Sequence, residues 1–69
     1  MTISETKRVL INGLSLILTN KEVILAIALL LKSEEQMATM ITYIYNHQKE
    51  NPSEDEVIQV AKAISEQVP

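Results

Sequence analysis

A Ser or Thr followed three residues later by Glu or Gln occurs four times in this chain of 69 residues. The pairs are Thr2 with Glu5, Thr19 with Glu22, Ser33 with Gln36, and Ser53 with Glu56. That spacing is the capping box of a helix start, in which the hydroxyl accepts from the backbone N–H three residues on. Three of the four are followed directly by apolar residues at helical period. The pattern predicts an all-α fold: a small bundle of four short helices over about 3–18, 20–32, 34–50 and 54–67. One Gly and two Pro are too few turn residues for a loop-rich or all-β fold.

One domain is expected over 1–69. A chain this short buries only about 60% of its unfolded surface, so its core is marginal unless something reinforces it. Cys is absent and His occurs once, which excludes disulfides and leaves no ligand set for a structural zinc. Regular helix packing or self-association remains. The lack of Cys fits a cytoplasmic protein.

In the first segment Leu10, Leu14, Ile17 and Leu18 share a helical face. Asn12-Gly13, set between short apolar runs, also reads as a hairpin turn over residues 8–18. An isolated hairpin is marginal and no third strand follows, so helix is favoured. Gly13 would then mark a bend or a close approach by a neighbouring backbone. The second segment, from the Thr19 cap, is apolar all round, and such a helix is expected to be buried on most sides. Leu18 and Val23 are placed as its hydrophobic staple. The third carries Met37, Met40, Ile41 and Ile44 inward, with Tyr45 at the core edge, and stops at Asn51-Pro52. The fourth has a stripe of Val57, Val60, Ala61, Ile64 and Val68, with Ile58 off it. The short joints favour antiparallel neighbours among the first three helices.

The same helix starts account for most of the acid. Glu5, Glu22, Glu34, Glu35, Glu54, Asp55 and Glu56 all fall in expected first turns, where carboxylates complement the helix dipole by about 0.3–1 kcal/mol each. Lys32 and Lys49 fall in expected last turns. Consecutive carboxylates such as Glu54-Asp55-Glu56 point in different directions on a helix and do not converge on a metal. Residues 1–32 hold four basic and two acidic groups, and residues 33–69 hold two and seven, for net charges of +2 and −5 and −3 in all.

His47 lies four residues after Tyr43, on the same helical face. A catalytic pair would also need a nucleophile, an orienting partner and a pocket. No phosphate-binding Gly-rich loop, zinc-protease motif or hydrolase triad is present. The expectation is therefore a protein that is not an enzyme, with no catalytic, cofactor-binding or metal-ligating residues. Thr2–Arg8 has mixed charge and does not read as a signal peptide. Val9–Leu31 is long enough to cross a membrane, but Asn12, Thr19, Asn20, Lys21 and Glu22 interrupt it, so no membrane span is expected.

The acidic balance argues against nucleic acid as a partner. Residues 56–65 nonetheless look loosely like the first helix of a helix-turn-helix, and the joint at Lys32-Ser33 could be such a turn. A small DNA-binding transcriptional regulator of that kind is the alternative reading. Its reading helix would offer phosphates Glu34 and Glu35, the wrong sign, and Lys7, Arg8, Lys21, Lys32, Lys49 and Lys62 form no dense stripe.

What one core does not absorb is apolar. Val9 and Leu16 lie off the main face of the first helix. Leu25 and Leu29 lie opposite Val23, Ile27 and Leu30 in the second. Either the bundle surrounds the second helix, or these residues form a patch of the kind that marks association. The favoured function is a non-enzymatic protein–protein interaction protein: a self-associating adaptor, complex subunit or small regulator. Its candidate self-association face is Val9, Leu16, Leu25 and Leu29, and its partner is a second copy, as a homodimer, or another protein.

Overall fold

A computed structural model of the chain describes residues 4–67, which contain four α-helices and no strand. They are α1 (Glu5–Ile17), α2 (Lys21–Leu30), α3 (Glu34–His47) and α4 (Glu54–Ser65), with a 3-10 turn, Gln48–Glu50, extending α3. The bundle measures 31 × 26 × 20 Å. The all-α class and the four helices are as expected; α3 and α4 start where predicted, and the other ends are trimmed by one to three residues. The hairpin alternative at 8–18 is replaced by continuous helix.

The helix starts explain where the chain turns. Ser33 Oγ accepts from the Gln36 N–H at 3.1 Å and Ser53 Oγ from the Glu56 N–H at 3.2 Å, as the spacing implies. The second start is displaced by one residue. Asn20, not Thr19, caps α2, its Oδ1 accepting from the Glu22 N–H at 3.0 Å. Asn is a cap at least as good as Thr, and the shift removes both the Thr19–Glu22 box and the Leu18–Val23 staple. Thr2 lies outside the described residues; the cap of α1 is Ser4, whose Oγ accepts from the Lys7 N–H at 3.1 Å. Glu5, Glu22, Glu34, Glu35, Glu54, Asp55 and Glu56 all occupy first turns. Lys32 does not occupy a last turn, because α2 ends at Leu30.

The two short joints are built alike. Each opens on a buried Leu with extended backbone, Leu18 after α1 and Leu31 after α2. Each Leu donates its N–H to the carbonyl four residues back, Leu14 and Ile27 respectively. A polar residue and the next cap follow. These leucines seal the helix ends from inside, so neither joint needs a left-handed glycine. The third connection does need a left-handed residue: Asn51 sits at φ 50°, a region Asn tolerates. Pro52 behind it disfavours continued right-handed helix.

The core is Leu10, Leu14, Leu18, Ile24, Ile27, Ala28, Leu31, Met37, Met40, Ile44, Val57, Ala61 and Ile64. Around it α1 packs on α3, α3 on α4, α4 on α2, and α2 on α1. Despite their short joint, α2 and α3 are not one of these principal pairs. Gly13 is buried against α3, where a Cβ would lie 3.5 and 3.6 Å from Ile44 Cδ1 and Cγ2. The close approach is therefore made by a side chain at ordinary contact distance, not by backbone. Val68, expected on the α4 stripe, lies outside the described residues.

Gln36 ties the ends together. Its Oε1 accepts from the Lys32 N–H at 3.1 Å, and its Nε2 donates to the Ile64 and Ser65 carbonyls at 3.4 Å. One amide thus serves the α2–α3 joint and the carbonyl end of α4, where helix geometry leaves the last C=O groups without intrahelical donors.

Candidate functional site

All four residues proposed for an association face are exposed: Val9 by 37%, Leu16 by 61%, Leu25 by 53% and Leu29 by 71%. Leu29 is the most exposed large apolar residue of the described chain. The bundle does not surround α2. It buries Ile24, Ile27 and Ala28 in the core, keeps Val23 half-buried against it, and turns the rest outward. Leu30, expected opposite Leu25 and Leu29, is instead exposed beside them, and Ala26 is exposed too. At about 100° per residue, Leu25, Leu29, Ala26 and Leu30 form one arc of roughly 140°. Glu22 falls near its middle, at the N-terminal end.

The four positions form two pairs. Gly13 faces Ile44 of α3, and Val9 and Leu16 lie within roughly 60° of Gly13 around α1. They therefore belong to the flank of α1 nearest α3. Exposed Asn12, Ser15 and Arg8 occupy the arc of α1 between that flank and the outer face. Leu25 and Leu29 lie on α2, which packs on α1 and α4.

The outer face of α2 continues into an apolar groove of about 240 Å³ between α2 and α4. Val23, Ala26, Ile27, Leu30 and Ile58 line it, and Lys62 supplies the charge at its rim. The sequence signal for this groove was the position of Ile58 off the α4 stripe. Its partner Leu30 was missed, because an evenly apolar helix has no periodicity to say which side faces in. Tyr45, expected at the core edge, is half exposed.

The titratable residues gather elsewhere. Tyr43 and His47 stack with ring centroids 4.6 Å apart. His47 Nδ1–H donates to Glu50 Oε2 at 2.9 Å, the only salt bridge among the described residues. Burial first, then the charges of Glu56 and Glu50, hold the Tyr43 hydroxyl above its ordinary pKa of 10.0. A raised pKa keeps the phenol protonated and un-nucleophilic, and neither ring lines the groove. The cluster staples the end of α3. Among the described residues no group of three or more His, Cys, Asp or Glu could hold a metal ion. None of these helices is long and apolar enough to cross a membrane. Comparison of the chain with protein-family models, with curated proteins and with solved structures finds no match.

Proposed function

We propose that the protein is a non-enzymatic helical interaction protein that self-associates as a homodimer, with Leu25 and Leu29 of α2 as its principal contact and Val9 and Leu16 of α1 as a second apolar strip. One observation carries this reading: a helix already packed on two neighbours keeps an outer face of Leu25, Ala26, Leu29 and Leu30. Folding leaves Leu25 53%, Leu29 71% and Leu30 38% exposed, and covering a fully exposed side chain of this size is worth about 1.5–3 kcal/mol. A cytoplasmic setting goes with the reading, since the chain has no Cys to oxidise. The regulator alternative draws no support at α3, whose exposed first turn is Glu34 and Glu35.

The test is substitution on the outer face. Leu25→Glu and Leu29→Glu should each give a folded monomer, seen as unchanged far-UV circular dichroism with halved mass in sedimentation. Unfolding in either variant would instead make these positions part of the core.

A further inference from the structure

The outer face of α2 has a symmetry that bears on how it is covered. Exposed Glu22, Leu25 and Leu29 of this face, and exposed Lys32 two residues past the end of α2, are spaced three, four and three apart in the sequence. Read backwards, the spacing is the same and the charges are exchanged. We infer that the homodimer is formed by α2 packing antiparallel on α2 of a second copy, Leu25 against the partner's Leu29, with Glu22 of each copy set against Lys32 of the other. This rests on the self-association proposed above and adds its orientation.

Charge complementarity selects the second copy and its direction. In the antiparallel pairing, Glu22 arrives at the C-terminal end of the other α2, where two cations wait. Lys32 stands just past that helix end, and Lys62 rims the groove beside Leu30. None of Glu22, Lys32 and Lys62 is in a salt bridge within the described chain. A parallel pairing would set Glu22 against Glu22 and Lys32 against Lys32, and would align the two helix dipoles unfavourably. Lys21, the remaining charge at the N-terminal end, lies roughly 110° from the middle of the arc and does not face the partner.

The absence of Cys makes this directly testable by cross-linking. In the antiparallel dimer the two copies of position 22 are separated by roughly 15 Å along the helix axis, beyond the reach of a disulfide, whose Cα atoms are about 4.4–6.8 Å apart. Under mild oxidation, Glu22→Cys alone and Lys32→Cys alone should stay uncross-linked, and their equimolar mixture should form a covalent dimer of one of each. Glu22→Cys cross-linking to itself overturns the antiparallel arrangement. So does a mixture that sediments as a dimer when reduced yet forms no disulfide. Charge reversal gives an independent reading. Glu22→Lys and Lys32→Glu should each weaken dimerisation roughly tenfold through two repulsive contacts, and mixing them should restore it. Equal weakening without rescue overturns the proposal. A wild-type chain that is monomeric at high micromolar concentration would overturn the self-association reading itself, leaving the face for a different protein.

Discussion

The helices α2 and α4 pack on each other, and each turns three residues into the core, yet their outer faces are opposite in kind. The outer face of α4 carries Glu54, Asp55, Glu56, Gln59 and Lys62, with only Ala63 apolar. That of α2 carries Leu25, Ala26, Leu29 and Leu30. The difference follows from where this chain places its charge. Acidic residues cluster at helix starts, and α4 receives three in its first turn while α2 receives one, Glu22. Beyond its first turn α2 has no charged residue until Lys32. Its outer face is therefore unexplained by capping, by the dipole or by the core, which together account for the acidic first turn and the buried stripe of α4.

The largest effect that could break this comparison is a buried charge. A domain of this length has roughly 3–10 kcal/mol of stability, and an unpaired charge in its core costs about 4–5 kcal/mol or more. Ala61→Glu, at a position with 0% exposure on α4, should unfold the protein at room temperature by circular dichroism. Leu29→Glu on α2 should shift monomer stability by no more than about 0.5 kcal/mol. Similar losses from the two would erase the distinction between the faces.

The caps sharpen it next. Gln36→Glu keeps the acceptor for the Lys32 N–H but removes the donor to the Ile64 and Ser65 carbonyls and sets a carboxylate against them. It should cost about 1–2 kcal/mol in urea unfolding, although a capping box accepts Glu and Gln equally. No loss would mean the brace to α4 contributes nothing. Asn20→Ala should cost about 1 kcal/mol and Thr19→Ala only a few tenths; the reverse order would return the α2 cap to Thr19. The smallest change is a gain. Gly13→Ala should stabilise by about 0.5–1 kcal/mol, because the methyl meets Ile44 at ordinary contact distance and helical Gly is entropically costly. A loss would show that the α1–α3 seam is too tight for a methyl.

Much of the fold is legible in the sequence because capping and periodicity are local. Ser33, Ser53, the Val57–Ala61–Ile64 stripe and the stop at Asn51-Pro52 all follow from residues within a turn of one another. What was not legible is relational. The cap of α2 is Asn20 and not Thr19, because the three-residue spacing does not say which of two adjacent capping residues takes the helix start. Gly13 looked like a turn or a backbone contact, since nothing local shows that Ile44 stands opposite. The sequence points Leu30 inward because α2 lacks polar residues beyond its first turn to set its rotation, and only its packing on α1 and α4 decides that. The candidate site was legible by subtraction: Val9, Leu16, Leu25 and Leu29 do not fit the core stripes, and all are exposed. Their division into two pairs required the position of α3.

The central claim is that the outer face of α2 exists to be covered by a second copy. Sedimentation equilibrium of the wild-type protein from low to high micromolar concentration tests it most directly. The account predicts a concentration-dependent rise from the 7.8 kDa monomer to twice that mass, abolished by Leu29→Glu. A wild-type chain that remains a monomer throughout the range would contradict it.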